Sequence, residues 1–316
     1  MNAYLIWNPQ AGQHDDHQPL HEAIATLHAG GWSVHMLQVT PQGNAAQMAR
    51  QAVAARADVV IAAGGDGTVS AVANGLVGSE VALGVLPLGT GNVWAKQMGF
   101  QTSALPYRRL LQESAQALLN STVRSIDVGR ANGRCFLLWT GIGIDAAVAH
   151  EVEPLVEWRH RVGNLLYAVT GLTVALNFVG TRSTLRIDDE VQRRRVVLVI
   201  IANAQLYGGG LVQLAPAACL DDGYLDVFVF RGQGPAATAR HFLSLLTRYH
   251  MRDPQVSHHR ARHIEIHTDK PLAVQIDGEA AGQTPLRIDV VHRALRVLVP
   301  PGAPSSLFRE ESTCRP

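Results

Sequence analysis

The stretch Asp58-Val59-Val60-Ile61-Ala62-Ala63-Gly64-Gly65-Asp66-Gly67-Thr68-Val69 decides how this chain is to be read. A short apolar run rich in β-branched residues ends in a glycine-bearing turn, and the turn opens onto a helical pattern at Val69–Leu76. Strand, tight turn and helix in that order are the start of a βαβ unit. The pattern repeats on both sides. Strand-like runs at Ala3–Trp7, Ser33–Val39 and Val81–Leu86 alternate with helical patterns such as His21–His28 and Asn44–Ala55. Residues 1–124 are therefore expected to form an α/β domain on a parallel sheet.

In an open parallel sheet, ligands bind beyond the carboxyl ends of the strands. The turns after the expected strands are Asn8-Pro9-Gln10-Ala11-Gly12, Thr40-Pro41-Gln42-Gly43-Asn44, Gly64–Thr68 and Pro87-Leu88-Gly89-Thr90-Gly91-Asn92, the last opening a helix at Val93–Met98. All are polar and glycine-bearing, and all fall on one rim. Glycine lets phosphate oxygens approach backbone N–H groups and permits positive φ. A helix starting at the turn adds unpaired N–H groups and the positive end of its dipole. Thr68 and Thr90 can cap a helix or donate a hydroxyl to phosphate. Asp66 would repel a bare triphosphate, so a carboxylate there fits best beside a magnesium ion that bridges the phosphates. A lone Gly-Gly-Asp-Gly could also be a capped turn; three companion turns in register favour a nucleotide site further.

The rest of the chain has a different rhythm. Strand-like stretches follow at short range: Ser125–Arg130, Cys135–Trp139, Thr184–Ile187, Arg195–Ala202, Leu225–Phe230, His263–His267, Ala273–Ile276, Leu286–Val290 and Leu295–Val299. Helical patterns near Asn164–Val179 and Pro235–Arg248 interrupt them. Residues 125–300 are expected to form a mostly antiparallel β domain with inserted helices, and 301–316 a tail.

Composition is globular, with 47% apolar and 17% charged residues, and the net charge of +1 gives no global pull toward nucleic acid. Cys135, Cys219 and Cys314 are odd in number and scattered, which fits a reducing cytoplasm. The N-terminus runs straight into a strand, unlike a secretory leader. Val162–Thr181 holds no charged residue and is about as long as a bilayer span. Its Thr170, Thr173, Asn177 and Gly180 recur on one helical face and Leu165, Leu172, Leu176 and Val179 on another, so it reads as an amphipathic helix. Packing against a sheet and lying on a lipid surface behind Arg159-His160-Arg161 both stay open for it.

The motifs resemble the diacylglycerol kinase catalytic family, which includes sphingosine kinases and bacterial lipid kinases. The resemblance runs through Asn8-Pro9 with Gly12, Thr40 with Gly43, Gly64–Thr68 and Pro87–Asn92. It continues through Ile126-Asp127-Val128-Gly129, Gly143-Ile144-Asp145-Ala146, Asn203 with Gly208-Gly209-Gly210, Asp221–Leu225 and Asp277-Gly278-Glu279. It implies an N-terminal domain similar to those of NAD kinases and phosphofructokinases, an active site in the cleft between two domains, and transfer of the ATP γ-phosphate to a lipid hydroxyl. Thr40, Gly65, Asp66, Gly67, Thr68, Val69, Ser70, Ala71 and Thr90 would contact ATP, with Asn8, Gly64, Gly89 and Asn92 on the same loops. Glu279 would accept the proton of the substrate hydroxyl. The carbonyls of Cys219 and Tyr224 with the Asp222 carboxylate would hold a structural magnesium ion. One departure stands out: Val93 occupies a position where many bacterial members carry an aspartate of the metal network.

Read from its residues alone, Asp277-Gly278-Glu279 is a turn on a strand end, and Asp66 rivals Glu279 as the base. Asp221-Asp222-Gly223 reads as a hairpin turn or a cation site, Arg193-Arg194-Arg195 as a solvated strand edge or a headgroup patch. His258, His259, His263 and His267 lack clean ligand spacing. A kinase of a soluble acceptor such as NAD is an alternative, but the Asn-Glu pair usual there is absent. A regulator that binds nucleotide or lipid with little turnover is another. The expected partners are ATP and a lipid, with contact at a membrane surface; acceptor choice depends on pocket shape, which no motif encodes.

Overall fold

The computed structural model describes residues 1–12, 17–40, 43–100, 102, 105–147 and 180–309, the side chain of Leu246 excepted. The expected helix at 164–179 and Cys314 lie outside the described residues. The chain forms two compact units. The first comprises Met1–Val128, Cys219–Gly223 and the chain from Val291 onward; the second comprises Gly129–Ala218 and Tyr224–Val290.

In the first unit β1 (Asn2–Trp7), β2 (Ser33–Gln38), β3 (Val59–Gly64) and β4 (Ala82–Pro87) are all parallel, in the order β2-β1-β3-β4. Helices α1 (Gln18–Ala29), α2 (Ala45–Ala54), α3 (Asp66–Leu76), α4 (Val93–Gln97) and α5 (Tyr107–Leu119) lie between and after them, and β5 (Thr122–Ala131) follows. Side chains alternate across a strand. Ala3, Leu5 and Trp7 of β1 and Val59, Ile61 and Ala63 of β3 share a core with Leu20 and Leu27 of α1 and Leu111 and Leu118 of α5. The alternate residues, such as Ile6 and Val60, are equally buried, and α2 and α3 pack on each other and against the strands. Each fully buried leucine in such a core contributes about 2 kcal/mol. β3 and β4 are buried along their whole length, which is why they read as continuous apolar runs.

In the second unit the strand pairs among the described residues are antiparallel. Its strands are β6 (Arg134–Phe136), β7 (Trp139–Gly143), β8 (Thr181–Ile187), β9 (Glu190–Ala202), the short β10 (Leu206–Tyr207) and β11 (Val212–Gln213), and β12 (Leu225–Arg231). After helix α6 (Gly234–Leu246) come β13 (Val256–Ala261), β14 (His263–Thr268), β15 (Ala273–Ile276), β16 (Glu279–Gln283) and β17 (Leu286–Val299). β9 organises the sheet: its first half pairs with β8, its second with β7 and β12. That explains its pattern, exposed at Arg193 and Arg194 and fully buried from Val196 to Ala202. Phe136, Leu185, Val199, Val227 and Ile264 form the core beneath. The final residues of β17 return to the first unit, where Arg296 and Val297 pair in parallel with β4.

The α/β and antiparallel β expectations match this architecture. Several details differ. The helix after Gly65 begins at Asp66, three residues earlier than its apolar pattern. Cys135–Trp139 is two strands, β6 and β7. Residues 286–299, expected as two strands, form one, with Arg293 in the left-handed region (φ 49°) where the apolar pattern lapses.

Candidate active site

Parallel register puts the ends of β1, β3 and β4 on one rim, and their turns touch. Asn8 donates its side-chain amide to Thr68 Oγ1 at 3.1 Å, and its backbone N–H to the Ala63 carbonyl. A β-carbon on Gly12 would lie 2.2 Å from the Leu88 carbonyl oxygen, and one on Gly89 would lie 2.5 Å from Gly65 Cα. Only glycine permits those approaches. Gly12 against Leu88 and Gly65 against Gly89 thus bring backbone against backbone, while Gly64 leaves room for the Thr68 side chain. Thr40, after β2, is exposed at the same end of the sheet. Behind it, Asn44 caps α2 by accepting N–H bonds from Ala46 and Gln47.

Asp66 is the hinge pin of this rim. It is the first residue of α3, where a carboxylate is favoured by the helix dipole. Its Oδ1 accepts the Trp94 N–H at 3.0 Å. That bond caps α4, whose own N-cap, Asn92, sits in the left-handed region (φ 49°) and turns its side-chain amide to the Gly89 carbonyl instead. Asp66 therefore ties the third turn to the fourth. The first intrahelical bond of α3 runs from Val69 N–H to the Gly65 carbonyl, so the N–H groups of Asp66, Gly67 and Thr68 precede it at the helix start. Thr90 is exposed on the fourth turn. Deeper in α3, Val69 and Ser70 are buried and Ala71 is half-buried. Val93 is buried at the first position of α4, with 3% of its surface exposed.

Glu279 stands in the second unit. Asp277 and Gly278, both at positive φ (50° and 87°), make the two-residue turn between β15 and β16, the geometry an Asp-Gly pair favours in hairpins. The turn is held from two sides. The buried Asp277 carboxylate accepts the N–H groups of Leu137, Leu138 and Trp139 at 3.0, 2.9 and 3.2 Å. Gln275 Oε1 accepts the Gly278 N–H at 2.7 Å, while its amide nitrogen donates to Asp145 Oδ2 at 2.6 Å. Tyr207 in turn donates its hydroxyl to Asp145 Oδ1 at 2.6 Å. Burial pushes the Asp145 carboxyl up, against the lowering effect of these donors. Burial and the adjacent Asp145 push the Tyr207 phenol well above 10, so it stays a donor. Glu279 projects from this fastened turn, half-exposed, and pairs with Arg134.

The segment Cys219–Gly223 belongs to the first unit. Burial, with Asp221 and Asp222 nearby, raises the Cys219 thiol to about 11, and the thiol donates to Asp221 Oδ1 at 3.2 Å. A thiol so held is no thiolate ligand; Cys219 and Asp222 can offer a cation a carbonyl oxygen and a carboxylate, and Tyr224, the first residue of the chain's return to the second unit, a carbonyl oxygen. That is a hard donor set, and it fits magnesium chemically. Among the described residues no cluster of three His, Cys, Asp or Glu side chains is arranged for a metal.

Sequence reasoning passed over two supports. One is the Tyr207–Asp145–Gln275 chain, whose members are far apart in sequence. The other is Asp127, matched only as part of a motif: its carboxylate accepts N–H groups from Gly223 and Arg293 and meets His292 Nδ1 at 2.7 Å. It fastens together the separate passes of chain that build the first unit.

A rim of abutting glycine turns on a parallel sheet, with a helix start and a carboxylate at its centre, defines the class of phosphate-handling α/β proteins. The chain belongs to the diacylglycerol kinase family: residues 2–131 match the diacylglycerol kinase catalytic domain, and residues 140–299 match the YegS C-terminal NAD kinase beta sandwich-like domain. It is similar to the diacylglycerol kinase of Bacillus subtilis (strain 168), 26% identical over 94% of this chain and 96% of that protein. It is also similar to the protein named "Probable lipid kinase YegS" of Salmonella newport (strain SL254), 28% identical over 93% and 95%. A diacylglycerol kinase crystal structure from Bacillus anthracis str. Sterne superposes with a TM-score of 0.72 at 25% identity, covering 96% of this chain and 98% of that one. The protein is accordingly a kinase, a phosphotransferase. No helix among the described residues is long and apolar enough to cross a membrane.

Proposed function

We propose that this protein is an ATP-dependent lipid kinase, working in the cytoplasm and at the membrane surface, that transfers the γ-phosphate of ATP to the hydroxyl of a diacylglycerol-like or sphingoid-like lipid. What carries the reading is the contact between the third and fourth turns: Gly65 against Gly89, with Asp66 bonded across to Trp94. In this reading the phosphates rest on the N–H groups at Gly64–Thr68 and Gly89–Asn92, helped by the α3 dipole and by hydroxyls of Thr68 and Thr90. Asn8, through its bond to Thr68, orients that hydroxyl. Thr40 contributes from the neighbouring turn. Val69, Ser70 and Ala71 contribute through the helix they build rather than through their side chains.

Asp66 would hold the catalytic magnesium ion, and Cys219, Asp222 and Tyr224 a structural one; magnesium, when bound, offsets the phosphate charge. Glu279 takes the hydroxyl proton as the new P–O bond forms and ADP departs. Its pairing with Arg134 orients the carboxylate before the acceptor arrives. Catalysis on this account is chiefly positioning and charge neutralisation.

The test is transfer of labelled phosphate from ATP to a panel of diacylglycerol, phosphatidylglycerol, sphingosine and NAD in mixed micelles, with mass spectrometry of the product. Phosphorylated lipid is expected. Phosphorylated NAD alone, or nucleotide binding without transfer to anything, overturns the proposal.

A further inference from the structure

Helix α6 is amphipathic the wrong way round. Its inner face buries polar side chains, Thr238, His241 and Ser244, while Phe242 and Leu243 are 48% and 61% exposed. The single turn that follows repeats the pattern: His250 is buried, and its neighbours Tyr249 and Met251 are 52% and 45% exposed. The buried histidines are anchors. His241 Nε2 bonds the Arg231 carbonyl at 2.8 Å, with its ring edge-on to Phe230. His250 Nε2 bonds the Leu214 carbonyl at 2.9 Å. These bonds fix the helix and its following turn with four large apolar side chains exposed. Four large apolar side chains exposed within ten residues mark an interaction surface.

The charge around the patch says what it meets. Between Gly232 and Arg252 there are three arginines and no acid. Arg240 is taken up by the buried Asp253, whereas Arg248 and Arg252 are exposed and have no carboxylate partner among the described residues. A second copy docked symmetrically would set arginine against arginine with no acid to receive it. Apolar side chains rimmed by unpaired arginines suit the headgroup and acyl boundary of an anionic bilayer.

We infer that α6 and the turn after it form the membrane-docking face of this protein, with Phe242, Leu243, Tyr249 and Met251 entering the lipid and Arg248 and Arg252 reading its negative charge. The choice of a bilayer over a protein partner rests on the lipid-kinase reading. The test is co-sedimentation of the full chain, without ATP, with vesicles of phosphatidylcholine alone or with one third phosphatidylglycerol. Wild type is expected on the anionic vesicles. Phe242→Ser with Leu243→Ser should weaken that binding at least about ten-fold. Arg248→Gln with Arg252→Gln should weaken it about five-fold per arginine on anionic vesicles only. Leu243→Met should keep it, and thermal melts of each variant should match wild type. Asp66→Asn should still bind vesicles, since docking does not use the phosphate turns; failed lipid transfer by the wild-type chain with intact vesicle binding sinks the kinase reading alone. Absence of wild-type binding to either vesicle, equal binding by the serine variant, or a dimer in light scattering that the serine variant breaks overturns the inference.

Discussion

At the scale of single residues, Asp277 is the carboxylate whose loss the fold will feel first. It is 7% exposed and accepts three backbone N–H groups; truncation leaves those donors buried without partners. Asp277→Ala should cost about 3 kcal/mol in urea denaturation. Asp277→Asn keeps one acceptor oxygen, tolerates positive φ, and should cost about 1 kcal/mol. Equal costs would mean that the three bonds carry no weight. Asp66 and Glu279 differ in kind. Asp66→Asn keeps an oxygen for the Trp94 N–H, and Glu279 is half-exposed, so both Asp66→Asn and Glu279→Gln should fold with midpoints near wild type. Each should lower turnover about 100-fold or more in the lipid transfer assay. Turnover near wild type in either would remove that residue from the mechanism. The glycine turns and Asp66 were legible from local chemistry, because a turn's composition states its own geometry; Glu279 read locally as part of a hairpin turn, and only the family resemblance gave it a role. The role of Asp277 was not. An Asp-Gly pair already accounts for itself as a hairpin turn, and nothing nearby in sequence says that Leu137–Trp139 lies beneath it.

Elements tell a similar story. The strands of the first unit could be read because burial on both faces leaves unbroken apolar runs. β13 could not: Ser257, His258, His259 and Arg260 look like a loop, and the strand exists because β12 offers a ladder from Leu225 to Phe230. The helix α5 carries a period in Leu110, Ser114 and Leu118 that a search for turns passes over. Two outcomes belong to this scale. Gly89→Ala forces the third and fourth turns apart, since its β-carbon would meet Gly65 Cα at 2.5 Å. It should weaken nucleotide uptake about ten-fold or more in equilibrium titration while sparing most of the stability. Uptake unchanged in that variant would separate the turns from the ligand. The second concerns the packing of α6. Burial lowers the His241 imidazole from 6.5, over the opposing pull of Asp253 and with that of Arg240. The unfolded chain therefore takes up this proton first as pH falls. Stability is full above about pH 6.5 and is lost as pH drops toward the lowered folded value. His241→Gln should flatten the fall in melting temperature between pH 7 and 5 relative to wild type. An unchanged slope would show that other groups set it.

For the molecule as a whole, the class of fold was readable and its chain path was not. Alternation of strands and helices gives way to closely spaced strands near residue 125, and that change of rhythm is a local signal. The return of Cys219–Gly223 and of the chain after Val291 to the first unit is not. It depends on Asp127 meeting Gly223, His292 and Arg293, contacts between segments about a hundred residues apart or more, which no periodicity encodes. The candidate site divides the same way. The glycine turns of the first unit announce themselves, and Glu279 of the second unit stands on a turn fastened by distant partners. The account rests on the rim. Calorimetric titration of the wild-type chain with ATP, with and without magnesium, tests it most directly. Saturable uptake that requires the metal and is weakened in Asp66→Asn is expected; no uptake, or uptake indifferent to both the metal and Asp66, would contradict it.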